Sequence, residues 1–268
     1  MIYADPVPSE FVSGQYYHQT AAEYYLSPAK LESDYAPVRF ERELRLFRKY
    51  CPGGAVMDVG CSSGAFLFQL RQQFPGCYDL LGTDVSGPAL DYAESRGIPV
   101  ARGSFISDIG DDTRFDAITF WAVIEHVDGP KSFLIKAAML LKPNGLCFVL
   151  VPNMKSLATR LLGAKYRYIY PQHLNYFTAE TLQKLSEGNF SIVELRSTHF
   201  NPFVIWQDWC RGGEEVSNEE RADLLQRTTA YKKNRLLRPL KFVYKLIERA
   251  LGTCYLADNL VMVLRRRG

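Results

Sequence analysis

Short apolar runs separated by amphipathic stretches dominate the first two hundred positions. Residues 55–59, 80–85, 98–102, 115–121 and 146–151 are continuous or nearly continuous apolar segments. Runs of this kind read as strands buried on both faces, the pattern of a parallel sheet. Between them the period lengthens to that of helices. Residues 38–50 alternate Phe40, Leu44 and Phe47 with charged positions and stop at Pro52-Gly53-Gly54. Further helices are expected from the glycine turn at 60–64 to about Phe74, over 86–96 with Pro88 in the first turn and Gly97 at the end, and over 131–141. A helix over 178–188 has Thr178 as N-cap and Thr181 in its first turn. Strand and helix in alternation predict an α/β fold, a Rossmann-like doubly wound sheet with helices on both faces.

The alternation then breaks. A basic, aromatic insertion occupies 152–172, strands are expected at 191–200 and 256–266, and 201–255 carries helical patterns at 219–232 and 236–251. The last two strands read as an antiparallel hairpin whose loop has grown into a helical lid. The organisation is thus a tyrosine-rich cap at 1–37, a core at 38–200, a helical insertion at 201–255 and a last core strand at 256–268, seven strands in all.

The chemistry starts at the turn Gly60-Cys61-Ser62-Ser63-Gly64. A glycine-bracketed strand-to-helix turn aims backbone N–H groups and a helix N-terminus at a polar ligand group. Asp84 ends the second run some twenty residues on, where a carboxylate accepts both hydroxyls of a ribose. A nicotinamide site would read G-x-G-x-x-G, and this turn does not. Instead Asp58 closes the first run just ahead of Gly60.

Composition narrows the field. Of 268 residues 47% are hydrophobic and 23% charged, which suits a globular protein with a substantial core. A net charge of +3 gives no support to nucleic acid as a partner. The six cysteines show neither C-x-x-C nor metal spacing, so reduced thiols and no metal are expected. The first residues have no signal-peptide pattern and no apolar stretch is long enough to span a bilayer, so a cytoplasmic location is expected.

Several blocks in order resemble the class I S-adenosylmethionine-dependent methyltransferases, in particular the small-molecule family that includes the ubiquinone-type O-methyltransferases. They are 56–66, 81–85, Phe115-Asp116-Ala117-Ile118, Val123-Ile124-Glu125-His126-Val127, Leu141-Lys142-Pro143-Asn144-Gly145 and Gln172-His173-Leu174-Asn175-Tyr176-Phe177-Thr178. The resemblance covers about 39–200. It implies S-adenosyl-L-methionine as cofactor, held by Asp58, Gly60, Cys61, Ser62, Ser63, Gly64, Asp84, Val85, Ser104, Phe105, Trp121 and Ala122. It also implies methyl transfer to a small-molecule acceptor such as a secondary metabolite, sugar or quinone-like compound, most simply at a hydroxyl. N- or C-methylation, RNA methylation and a non-catalytic cofactor-binding scaffold are the alternatives. Two departures stand out. Ser62 replaces the family's middle loop glycine, where its hydroxyl either caps the following helix or meets the methionine end of the cofactor. Ser104-Phe105-Ile106 follows Gly103 where relatives carry an acid for adenine, so backbone groups near Phe105 and apolar contact are expected there, with Asp108 a weaker substitute.

A hydroxyl acceptor needs a proton acceptor beside it, and the chain has four histidines, His18, His126, His173 and His199. His173 is the first candidate base and His126 the second, since His126 follows the fourth strand at the cleft mouth and His173 precedes the sixth-strand unit on the same side of the sheet; the alternative is that each only orders the cleft. Tyr16, Tyr17, Tyr170 and Tyr176 are candidates for contact with the acceptor. Residues 232–249 combine Lys232, Lys233, Arg235, Arg238, Lys241, Lys245 and Arg249 with an apolar series. Weak contact with a membrane surface is one reading, and a solvated basic face packed on its own domain is the other.

Overall fold

The computed structural model describes residues 2–3, 14–110, 114–213, 216–234 and 238–267, with backbone alone for 2–3, 21–22 and 238–241. Nine strands are labelled in chain order: β1 (Ile2–Tyr3), β2 (Gly54–Val59), β3 (Tyr78–Asp84), β4 (Val100–Arg102), β5 (Phe115–Trp121), β6 (Leu141–Pro152), β7 (Asn175–Tyr176), β8 (Phe190–Thr198) and β9 (Asn259–Arg266). Seven form one sheet in the order β4-β3-β2-β5-β6-β9-β8. The first five are parallel, and β9 runs antiparallel between β6 and β8. The strand order reverses between β2 and β5, which places a ligand crevice beyond their carboxyl ends.

The apolar runs form strands because each strand feeds two cores. Met57, Val59, Ile118, Phe120, Cys147, Val149 and Val151 point to one side, while Val56, Ala117, Phe148 and Leu150 point to the other. The first side is covered by α6 (Pro130–Leu140) and α8 (Ala179–Ser186), the second by α3 (Glu41–Tyr50), α4 (Ala65–Gln73) and α5 (Gly87–Ser95). On the same side as Val56 and Ala117 stand Asp58 and Thr119, the polar pair in an otherwise apolar layer.

The expected elements are present with shifted ends. Thr178 and Thr181 form the reciprocal cap of α8, and Pro88 opens α5. The third parallel strand is shorter than its apolar run, and β6 begins already at Leu141. Asn144 enters the left-handed region at φ 63°, and the β5–β6 register slips between Phe115 and Ala117, so the expected turn at 142–145 is the irregular start of the strand. The excursion after β8 holds three helices rather than two: α9 (Pro202–Arg211), α10 (Asn218–Lys233) and α11 (Arg238–Thr253). Arg235, Leu236 and Leu237 lie outside the described residues.

The N-terminal segment folds over the carboxyl ends of the strands as α1 (Gln15–Gln19), a π-helical turn (Ala21–Tyr25) and α2 (Pro28–Asp34). β1 pairs with β7, Ile2 opposite Tyr176 and Tyr3 opposite Asn175, a ladder with no sequence signal. α10 packs on α2 and the π-helical turn, with Gln226 donating to Glu32 at 3.2 Å. The insertion at 152–172 supplies α7 (Leu157–Leu162), capped by Ser156.

Candidate active site

The loop after β2 is shaped by the end of β3. Gly60 and Cys61 both donate backbone N–H to Thr83 O, at 2.7 and 3.0 Å. Ser62 N–H donates to Asp84 Oδ2 and Ser86 N–H to Oδ1, each at 2.8 Å. Gly60 sits at φ 71°, and a Cβ there would lie 2.5 Å from Val123 Cγ2, so the chain passes the β5 loop at a distance a side chain forbids. Ser62, the residue in place of the family's glycine, also has a positive φ of 50°. Its hydroxyl does not cap α4, whose N-cap is Gly64, and the oxygen is buried without a hydrogen-bond partner among the described residues.

Two acids face this loop with no cation beside them among the described residues. Asp58 is 3% exposed, accepts from Thr119 Oγ1 at 2.5 Å, and burial together with Asp84 pushes its carboxyl up to about 7. Asp84 is half-buried, and desolvation raises it as well. An unpartnered hydroxyl, a loop too tight for side chains and two uncompensated acids fit a ligand bearing hydroxyls and positive charge. S-adenosylmethionine offers both, through its ribose, amino group and sulfonium.

The other residues expected around the cofactor divide between the core and exposed loop positions. The Phe105 ring is 4% exposed and packs on Phe120 and Phe133, so the core takes it. Trp121 packs edge-on against Phe66 and tilted against Phe148, on the side of Ala117, and its buried Nε1 has no partner among the described residues. Cys61 is a core thiol lying against Gly82. Asp108 is occupied by Ser104 N–H at 2.7 Å and Ser107 Oγ at 2.8 Å. Ser63 gives its carbonyl to Tyr35 Oη at 2.5 Å, tying the N-terminal segment to the loop. Val85 and Ala122 are exposed, Ala122 with φ 59°.

The histidine blocks come together through backbone stitching. Asn175 N–H donates to Glu125 O at 2.9 Å, and Asn175 Nδ2 to Val127 O at 2.7 Å. The His126 and His173 rings then lie 4.7 Å apart, edge to face. His126 Nδ1 is 2.8 Å from Gln172 O and His173 Nδ1 is 2.8 Å from Tyr168 O. A carbonyl oxygen can only accept, so both Nδ1 atoms carry the proton and both Nε2 atoms present a lone pair. Burial holds both imidazoles neutral: His126 falls to about 4, and His173 is lowered well below its ordinary value by burial and by His126. His199 has a structural role instead, pairing its Nε2 with Glu43 at 3.3 Å.

Glu125 is the residue that the sequence reading did not single out. It is 1% exposed, neither carboxylate oxygen has a hydrogen-bond partner among the described residues, and burial raises the acid to about 8. Its only sequence signal is its place beside His126 in a block already notable for other reasons. One ligand atom from each of Glu125, His126 and His173 lies within 4.8 Å of the others. Two neutral imidazoles fixed through Nδ1 and one unpartnered carboxylate form a donor set of the kind that holds a divalent cation. No spacing in the chain announces it, because residues 125–126 and 173 meet only in the fold.

Tyrosines roof this cluster. Tyr170 lies 4.2 Å from His173, Tyr176 6.2 Å from His173, and Tyr17 5.9 Å from His126, measured between ring centroids. Tyr16 meets Tyr17 edge-on at 5.4 Å and accepts from Gln172 Nε2. Tyr17 Oη is buried without a partner among the described residues. All four tyrosines singled out in the sequence therefore gather at one place. Arg221 of α10 closes the side, its guanidinium 4.5 Å from the Tyr170 ring.

A family model described as a methyltransferase domain matches residues 35–195, more than half of the chain. A ubiquinone biosynthesis O-methyltransferase from Bradyrhizobium diazoefficiens is 34% identical over 184 residues, covering 64% of this chain and 71% of that protein. Among solved structures, a SAM-dependent methyltransferase from Archaeoglobus fulgidus superposes with a TM-score of 0.55 at 19% identity, covering 93% of this chain and 99% of that one. The N-methyltransferase NodS from Bradyrhizobium japonicum, solved with S-adenosyl-L-homocysteine, gives 0.53 at 15%, covering 94% and 98%. With the matched domain, the strand order and a loop fitted to the cofactor all in place, the chain belongs to the class I S-adenosylmethionine-dependent methyltransferases.

Proposed function

We propose that this enzyme methylates a hydroxyl of a small, ring-bearing acceptor bound between the tyrosine roof and the Glu125–His126–His173 cluster. The observation that carries the reading is the pair of bare Nε2 atoms, held by carbonyls at Nδ1 and enclosed by aromatic rings next to the cofactor loop. Bound S-adenosylmethionine supplies an electrophilic methyl on its sulfonium. Asp84 accepts the ribose hydroxyls, Asp58 faces the amino end, and Ser62 Oγ meets the methionine portion. His126 or His173 takes the hydroxyl proton at Nε2 as the acceptor oxygen gains the methyl. Tyr16, Tyr17, Tyr170 and Tyr176 hold the acceptor ring and exclude water, so that positioning lowers much of the barrier. The O-methyltransferase relative supports a hydroxyl acceptor of the quinol type.

A second reading, an amine acceptor, is favoured by the unpartnered Glu125 carboxylate among tyrosine rings, a setting that suits an ammonium group. One experiment separates the two. Labelled methyl transfer from S-adenosylmethionine is measured on a panel of catechols, quinols and aromatic amines, with His126→Ala, His173→Ala and the double variant. Hydroxyl methylation should fall about 10²- to 10⁴-fold in the double variant, with cofactor affinity unchanged. Full turnover by the double variant would remove the histidines from the mechanism, and products from amines alone would establish the second reading.

A further inference from the structure

α11 is mounted the reverse of an ordinary surface helix. Its inward side carries Glu248, 7% exposed and paired with Arg42 of α3, and Gly252, where a Cβ would lie 2.8 Å from Ser197 O on β8. Ser197 Oγ fixes that end by donating to Leu251 O and Gly252 O at 3.3 Å. The outward side shows Phe242, Val243, Leu246 and Ile247, which are 64%, 53%, 52% and 48% exposed. Their i, i+1, i+4, i+5 spacing makes one continuous stripe. Lys245 and Arg249 line one edge of the stripe and are exposed, and over 242–253 the helix's one acid is the inward Glu248. α9, which leaves β8 beside the point where α11 docks, adds Phe203, Trp206 and Trp209 at 47%, 61% and 66% exposure, all on one side.

An apolar stripe edged by cations and free of acids does not complement itself. In a two-fold contact between copies, Lys245 and Arg249 would approach their own equivalents. It does complement an anionic lipid leaflet, where apolar side chains enter the acyl boundary and cations meet headgroups. No helix among the described residues is long and apolar enough to cross a membrane, so such a helix lies on the surface. We propose that the outward face of α11, through Phe242, Val243, Leu246, Ile247, Lys245 and Arg249, docks the enzyme on an anionic bilayer surface. The inference does not depend on the identity of the acceptor, because it concerns binding to lipid and not turnover.

The test is co-sedimentation of the full chain with phosphatidylcholine vesicles, with and without phosphatidylglycerol. Binding is expected to the phosphatidylglycerol vesicles and to weaken as salt rises. Replacing Leu246 and Ile247 together by serine should lower the partition coefficient about tenfold or more, given the area each side chain withdraws from water. Lys245→Glu should lower it about fivefold or more, at roughly 1 kcal/mol per charge near the surface. Because these side chains are exposed, thermal unfolding and cofactor affinity should match the parent. Absence of binding to either vesicle, or binding indifferent to phosphatidylglycerol and salt, would overturn the proposal. So would retention of full binding by the serine variant, or a dimer that the serine substitutions dissociate in the absence of any vesicle binding.

Discussion

Asp84→Ala is expected to weaken binding of S-adenosylmethionine and S-adenosylhomocysteine by about 10²- to 10⁴-fold. In the site reading above, the carboxylate accepts two ribose hydroxyls, and a hydrogen bond to a charged group contributes roughly 1.5–3 kcal/mol. Asp84 also receives the N–H groups of Ser62 and Ser86, so the alanine variant loosens the loop that faces the rest of the cofactor. Asp84→Asn keeps one acceptor oxygen and should fall between the parent and alanine. Titration calorimetry of the three proteins with S-adenosylhomocysteine measures both steps. Equal affinities would remove Asp84 from the site.

Asp58→Asn should lose cofactor affinity while gaining stability at alkaline pH. The buried carboxyl titrates at about 7, against 3.8 for the free side chain. A group raised in the folded state contributes its full stability below its unfolded value and loses it as pH rises through the folded one. At about 1.36 kcal/mol per unit, ionised Asp58 costs the cofactor-free protein on the order of 4 kcal/mol above pH 7. His126 has the opposite sign. Lowered to about 4 from 6.5, it adds stability as pH rises through that interval and offsets Asp58 there. Glu125, raised from 4.5 to about 8, lowers stability between those values in the same sense as Asp58, but His126 and Glu125 are common to parent and variant and cancel in their difference. Urea unfolding of parent and Asp58→Asn across pH 5 to 9 should show the curves diverging up to about pH 7 and running parallel above it, with the variant the more stable. Curves parallel across the whole range would mean that Asp58 carries no buried charge. Stability withheld at a buried acid and recovered by an asparagine that binds poorly is the signature of a residue kept for its ligand.

How far the sequence reveals this site depends on the range of the interactions that build it. The strands at Met57, Ile118 and Phe148 were readable because doubly buried strands write continuous apolar runs. Asp84 was readable because its place at the end of β3 follows from local order alone, and the Thr178–Thr181 cap is a three-residue pattern. Phe105 and Trp121 sit at strand ends as expected, but the side of the sheet each ring enters is set by packing against Phe133 and Phe66. Glu125 gains its character from what is missing around it, namely any partner for its two oxygens, and no pattern along the chain encodes that. The joining of His126 with His173 depends on Asn175 reaching the β5 loop, and β1 depends on pairing with β7. In α11 the amphipathic period was plain, yet only the inward Glu248 shows which side faces out.

A structure of the enzyme with S-adenosylhomocysteine tests the central claim most directly. The account predicts the ribose hydroxyls on the Asp84 carboxylate, the amino end near Asp58 and Ser62, and the sulfur opening toward Glu125, His126 and His173 beneath the tyrosines. A nucleoside bound away from Asp84, or a sulfur turned from that cluster, would contradict it.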